Sequence, residues 1–364
     1  MAVDVLRVEM LPARYGDCLW LEYGKEDDLH RVLIDGGPVD TYPAIVRRLT
    51  QVPEGEKVFE LIILSHVDAD HLEGLVRLFA EKPLPFVVRK VWFNGWRQMK
   101  AAHGLLGATQ GEFLSALLAA RAPNAWDPDG PPWVIPKDGK LPKTTLPGGF
   151  ELTLLSPTVK KLDAMAKEWK KTVTTAGITP GDLEAAWQLL ATRKQFLPKK
   201  GLLGVAPSLD KFLKVQFVKD QAKPNGSSIA VLAEYKGRSV LLLADAHPDT
   251  VAESVKKLCS ERGVGRLPVG AVKVSHHGSK GNTSEALIKL IDSPRWLIST
   301  NGDRFEHPHK PCMARIVKHG EPKEIWFNYK SKYTQPWLSK EAQKKHKYKA
   351  VVRPATAASL VLNL

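Results

Sequence analysis

Groups able to bind a divalent metal stand at the ends of apolar runs. In Leu61-Ile-Ile-Leu-Ser-His-Val-Asp-Ala-Asp-His-Leu-Glu-Gly74 a run of branched apolar residues gives way to His66, Asp68, Asp70 and His71. Imidazole and carboxylate are the donors that zinc and manganese share. Alternation along an extended segment sets His66 and Asp68 on one side, and a helix from Leu72 onward brings Asp70 and His71 round at its start. A capped polar loop would need one carboxylate and no imidazole, so four donors together point to metal.

Two more apolar runs end in the same way. Ser239-Val-Leu-Leu-Leu-Ala-Asp245 closes on Asp245, and Ala271-Val-Lys-Val-Ser275 leads into His276-His277-Gly-Ser-Lys280. A carboxylate such as Asp245 can bridge two cations, which together acidify a water, orient a substrate oxygen and stabilise an in-line displacement. Asp70 could both bind an ion and accept a hydrogen bond from the attacking hydroxide. In extended geometry His276 and His277 diverge. The expectation is therefore that one binds metal while the other touches substrate or protonates the leaving group; His276 is taken as the ligand and His277 as its competitor, a choice that sequence leaves open.

Further candidates line the same strand ends. His307 could assist proton transfer, and Lys280, Arg304 and His309 could contact phosphate, although each also suits a solvated loop. Asn225 and Ser228, in Lys223-Pro-Asn-Gly-Ser-Ser228, are candidate substrate contacts or loop hydrogen-bonding groups. Asp35, ending Arg31-Val-Leu-Ile-Asp35, suits either a turn or support of a metal ligand from behind.

The elements that must position these groups read as a mixed sheet with helical cover. Strands are predicted at Val3 to Met10, Cys18 to Tyr23, from Arg31, Glu60 to Ser65, Phe86 to Phe93, Phe150 to Leu155, Ser227 to Tyr235, Ser239 to Asp245, Ala271 to Ser275, Trp296 to Thr300 and Glu324 to Tyr329. Helices are predicted at Thr41 to Leu49, from Leu72, Val159 to Lys171, Asp182 to Arg193, Thr250 to Cys259, Ser284 to Ile291 and Pro311 to Lys318. The seven prolines between Pro123 and Pro147 argue for irregular chain there. No assignment follows for Phe196 to Val218.

The 364 residues, 43% hydrophobic and 25% charged, can bury a sizeable core. No run approaches the roughly 18 apolar residues of a membrane span, and no secretory leader is evident, so a cytoplasmic protein without membrane insertion is expected. Three scattered cysteines suit free thiols. The net charge of +14 favours a polyanionic partner. Residues 330–349 mix lysines with Tyr333, Trp337 and Tyr348 and could hold a phosphate backbone and stack bases; Trp169, among Lys167, Lys170 and Lys171, offers a smaller version.

Taken together, His66-Val-Asp-Ala-Asp-His71, Gly16-Asp17, Leu33-Ile-Asp-Gly-Gly37, Leu241-Leu-Leu-Ala-Asp245, Lys273-Val-Ser-His-His-Gly-Ser-Lys280, Gly302 and His307-Pro-His309 resemble the metallo-β-lactamase-fold hydrolases. The branch most similar is the cytoplasmic hydrolase domain of ComEC/Rec2-type DNA-uptake proteins, in which Asp68 replaces a second histidine. The resemblance implies an α/β protein, an αββα sandwich with two mixed β-sheets and one or two divalent metal ions, Zn2+ or Mn2+, at one edge. It covers residues 1–329, with unassigned insertions at 94–149 and 158–222; 330–364 reads as a basic C-terminal extension with a terminal strand. One departure is the Lys223–Ser228 stretch, where many relatives place a histidine, which weakens one metal position.

The function expected is metal-dependent phosphodiester hydrolysis of nucleic acid by a metal-bound hydroxide, with protein partners in a DNA-processing or defence system possible. Two alternatives stand beside it: hydrolysis of a small phosphoester, cyclic nucleotide or lactone, and a non-catalytic nucleic-acid-binding or scaffold role on the same fold.

Overall fold

Alternation of burial along the strands organises the molecule. In a computed structural model, which describes residues 3–102, 109–175, 177, 179–186, 212–213 and 216–364, Leu19, Leu21, Tyr23, Val32, Ile34, Leu61 and Ile63 face one core. Trp20, Leu33 and Ile62, the residues between them, face another. A sheet buried on both faces needs this two-sided apolar pattern.

The first sheet runs Leu360–Asn363, Asp4–Met10, Leu19–Lys25, Asp28–Ile34, Leu61–Ile63, Val91–Trp92, antiparallel to Asp28–Ile34 and parallel beyond it. The second runs Lys349–Val352, Glu324–Phe327, Arg295–Ile298, Ala271–Lys273, Arg238–Leu242, Ala230–Tyr235, Phe150–Ser156, Lys143–Leu146, parallel as far as Arg238–Leu242 and antiparallel after it. Their inner faces share one apolar core, and helices cover both outer faces. The chain is thus an α/β sandwich of two mixed sheets, as expected.

The segments 94–149 and 158–222 contribute to that cover. Leu114, Leu117 and Leu118 of helix Thr109–Arg121 and Leu162, Met165, Ala166, Trp169 and Val173 of helix Val159–Thr175 pack in the core outside the first sheet with Leu72, Leu75 and Leu78. Trp169 is buried, and its indole N–H donates to Glu112 Oε1 at 3.2 Å. The stacking role considered for it is corrected: a buried indole contributes about 3–5 kcal/mol of packing, more than the ~1–3 kcal/mol of stacking one base. Of the predicted helix Asp182 to Arg193, residues 183–186 are helical and 187–193 lie outside the described residues, as does most of Phe196 to Val218.

Two other expectations change. Phe86 to Phe93 divides into Val87–Val88, which pairs with Val58–Phe59, and Val91–Trp92, which joins the first sheet. The stretch from 330 onward adds one strand to each sheet. Its Trp337 and Tyr348 are buried, with the Tyr348 hydroxyl donating to Trp337 O at 2.7 Å, so these rings pack the core and leave the lysines outside. Among the described residues no helix is long and apolar enough to cross a membrane.

Candidate metal centre

Strand Leu61–Ile63 ends three residues before His66, and helix Ala69–Phe79 begins three residues after it. Asp68 takes the N-cap position with extended backbone, yet its side chain caps nothing, which frees the carboxylate for other work. Asp70 and His71 lie in the first helical turn and are buried. The helix docks closely because Gly36 and Gly74 meet without side chains: a Cβ on Gly74 would stand 2.0 Å from Gly36 O. Gly16 makes a second such approach, where a Cβ would come within 1.9 Å of Asp70 O.

Parallel pairing of Arg238–Leu242 with Ala271–Lys273 brings the other two strand ends together. His276 N donates to Ala244 O at 2.8 Å, which ties the two turns. His276 (φ 47°, ψ 51°) and His277 (φ 53°, ψ 21°) both occupy the left-handed region, at roughly 1–2 kcal/mol each for residues with a Cβ. This corrects the expectation of divergence from an extended segment, because the turn sends both imidazoles inward. Strain of this kind persists only where the surroundings over-determine it.

Around Asp245 the donors separate into two sets. On the Oδ2 side, His66 Nε2 lies at 3.8 Å and His276 Nε2 at 3.5 Å, with Asp68 Oδ2 3.6 Å from His66 Nε2. On the Oδ1 side, His71 Nε2 lies at 3.4 Å and His277 Nε2 at 3.8 Å, with Asp70 Oδ2 3.4 Å from His277 Nε2. Burial alone would raise the Asp245 pKa, but His276, His71 and His277 hold it well below the usual carboxylate value. Burial lowers the His277 pKa, yet Asp17 and Asp245 outweigh it and raise it to about 9.

The imidazoles are held from behind. Asp35, itself at φ 59°, accepts from Ser65 N and Ser65 Oγ and meets His71 Nδ1, each at 2.7 Å. Asp17 Oδ1 lies 3.4 Å from His277 Nδ1, and Lys273 Nζ closes on Asp17 Oδ2 at 2.5 Å, both groups buried. His276 Nδ1 has Asn282 Oδ1 at 3.0 Å and Asp220 Oδ2 at 3.4 Å, and Asp220 Oδ2 accepts from both Asn225 Nδ2 and Asn282 Nδ2, at 2.6 and 2.8 Å. Carboxylates placed on the far ring nitrogen set tautomer and orientation.

Asp17, His71, Asp245 and His277 are all buried and can each bring a donor atom within 4.8 Å of the others. Within this cluster Asp17 faces Nδ1 of His277, opposite the Nε2 that looks toward Asp70 and Asp245, and its charge is matched by Lys273. That geometry makes it an orienting group. Its recoverable signal is Lys273, a lysine in an apolar strand, because a buried ammonium demands a buried acid. Asp220 and Asn282 carry no comparable signal.

Asn225 is buried beside His276, its Nδ2 3.2 Å from Nδ1, and Ser228 is buried in the same turn. His307 is buried with its ring 5.1 Å from His276 and 6.1 Å from His277. Burial, then the neighbouring His276 and His277, hold its pKa well below the imidazole value. His309 accepts from Lys280 N through Nδ1 at 3.1 Å, and burial with Lys280 lowers its pKa to about 4. Lys280 is exposed, and Arg304 lies over the Tyr15 and Phe305 rings.

His66 Nε2, Asp245 Oδ1, Asn225 Oδ1, Ser228 Oγ and His307 Nδ1 are buried without a hydrogen-bond partner. Each such atom costs about 1–3 kcal/mol if nothing meets it. Nitrogen and oxygen donors converging on a desolvated volume fit one or two divalent cations.

No protein-family model matches the chain. ComE operon protein 3 of Bacillus subtilis (strain 168) is 29% identical over 101 residues, which is 28% of this chain and 12% of that protein. The chain therefore spans about an eighth of the length of that curated relative. Among solved structures, the metallo-β-lactamase fold protein YhfI from Bacillus subtilis aligns over the whole of both chains with 10% identity and a TM-score of 0.40. CmlA, a diiron β-hydroxylase from Streptomyces venezuelae, aligns over all of this chain and 55% of its own, with 13% identity and a TM-score of 0.39.

Proposed function

We propose that the protein is a metal-dependent phosphodiesterase acting on nucleic acid. One observation carries the reading: Asp245, fully buried, presents each of its oxygens to a separate set of imidazole and carboxylate donors. In this reading His66, Asp68 and His276 would hold one cation and Asp70, His71 and His277 the other, with the Asp245 carboxylate shared between the two sets. When bound, such ions supply Lewis acidity and an acidified water, whichever of zinc or manganese is present.

The chain's own residues do the rest. Asp35, Asp17 and Asp220 fix the imidazoles of His71, His277 and His276 in turn, Asn225 and Ser228 offer polar atoms at the wall, and neutral His307 offers a ring nitrogen to a substrate oxygen. A polyanionic substrate is supported by a groove of about 590 Å3 beside helix Val159–Thr175, lined by Lys137, Lys160, Lys167 and Lys223 with Asp163 and Glu168. Lys160 and Lys167 stand on one helical face about 10 Å apart. Lys223, one of its lining residues, lies two residues before Asn225 in the chain. The resemblance to the DNA-uptake branch points the same way.

The test is hydrolysis of single-stranded DNA, RNA and a bis-aryl phosphodiester by protein supplied with Zn2+ or Mn2+. Metal-stimulated cleavage is expected, falling in Asp70→Asn and Asp245→Asn by more than the roughly 10–100-fold typical of changes behind the ligands. Failure to cleave any of the three overturns the reading.

A further inference from the structure

An aromatic surface borders the donor cluster without belonging to it. Phe305 is 38% exposed, one of few large apolar side chains left in solvent among the described residues. A lone exposed phenylalanine is ordinary, but this one has company. Its ring lies 5.8 Å from that of His307, which is 5.1 Å from His276. Tyr15 meets Phe305 edge-on at 6.2 Å, and the Arg304 guanidinium lies 5.4 Å from the Tyr15 ring and 5.1 Å from that of Phe305. Arg304 makes no salt bridge with a described residue, so its charge is available.

The loop that carries Arg304 and Phe305 is pinned. Gly302, at φ 79°, has no room for a Cβ, which would stand 2.2 Å from Tyr333 and 2.5 Å from His307 O. Gly302 N donates to Thr300 Oγ1 at 3.0 Å, Glu306 N to Gly302 O at 3.0 Å, and the Tyr333 hydroxyl to Glu306 Oε1 at 3.1 Å. A rigid loop that leaves a phenyl ring and a guanidinium in water is preorganised to receive a flat partner, with little ordering left to do on binding.

We propose that Phe305, with Tyr15 and Arg304, is a stacking subsite for the nucleobase next to the phosphodiester held at the cluster. The inference rests on the phosphodiesterase reading for where the phosphate sits. The ligand class is a single-stranded polynucleotide, because bases in a duplex already stack on one another and offer no free face. Aromatic rings stack any base, and a guanidinium can lie on a base or reach a phosphate, so the subsite discriminates strandedness and not sequence.

Anisotropy of the full-length, metal-supplied protein with a fluorescent ten-nucleotide oligothymidylate whose phosphorothioate linkages resist cleavage, at fixed salt, tests this. Phe305→Ala is expected to weaken binding roughly 5- to 100-fold, while Phe305→Trp keeps the affinity and has its new indole fluorescence quenched by the oligonucleotide. An abasic strand of the same length should bind the wild-type protein more weakly, and Phe305→Ala should then cost nothing further. Equal binding by Phe305→Ala, equal binding of the abasic strand, or no binding by the wild-type protein overturns the subsite. Stacking without cleavage of any phosphodiester would remove the phosphodiesterase reading alone. Cleavage with Phe305→Ala indifferent would remove the subsite alone.

Discussion

His276 shows how much a single backbone region decides. With extended backbone its ring would point away from His277; in the left-handed turn both rings reach Asp245. Its Nδ1 is then held by Asn282 and by Asp220, whose own pKa is lowered, against burial, by His276, Asn225, Ala222 N–H and Asn282. Asp220 acts through His276 and is a positioning residue. Asp220→Asn is expected to weaken one of two bound cations by roughly 10–100-fold, with the second unaffected and the thermal midpoint little changed. Equilibrium dialysis with elemental analysis reads both affinities, and loss of both cations, or of neither, would contradict the assignment. His66, Asp68, Asp70, His71 and Asp245 were legible because each follows an apolar run at strand-end spacing. Asp17, Asp220 and the inward turn of both histidines were not, since they depend on contacts between segments far apart in sequence.

At the scale of elements, periodicity located the strands that feed the site, and their order already argued for mixed sheet. The segments 94–149 and 158–222 read as additions because their prolines, glycines and basic helix face obscure any sheet pattern; among the described residues, helices Thr109–Arg121 and Val159–Thr175 cover the first sheet, and Lys143–Leu146 is the edge strand of the second. Glu112, fully buried on helix Thr109–Arg121, shows what that cover costs. Its Oε1 accepts from Trp169 Nε1 and Gly181 N, while burial raises its pKa to about 7. A raised carboxyl pKa means that the fold holds the proton more tightly than the unfolded chain. Its contribution is therefore full below the unfolded value near 4.5 and lost as pH rises through 7. Glu112→Gln is expected to be more stable than the wild-type protein at pH 8, by up to about 3 kcal/mol, and to match it more closely near pH 5. Urea unfolding at the two pH values checks this; a difference independent of pH would mean that Glu112 is not a buried carboxylic acid.

For the whole molecule, the sandwich does one thing that no element does alone. It brings the ends of Leu61–Ile63 from one sheet and of Arg238–Leu242 and Ala271–Lys273 from the other to a single edge, so that donors between His66 and His277 meet in two sets around Asp245, with neighbouring donor atoms 3.4 to 3.8 Å apart. Residues 330–364 tie both sheets together at their outer strands, which is why a stretch that looked peripheral from its lysines is built into the fold. The positive charge is spread over lysines that the core leaves outside, among them those of the groove beside the Lys223–Ser228 turn.

Anomalous scattering from crystals grown with Zn2+ or Mn2+, recorded at the metal edge, tests the two-cation centre most directly. Two peaks are expected, one on each side of the Asp245 carboxylate, the first ligated by His66, Asp68 and His276 and the second by Asp70, His71 and His277. No peak among these donors, or a single peak ligated by Asp17 through the oxygen that faces His277, would contradict it.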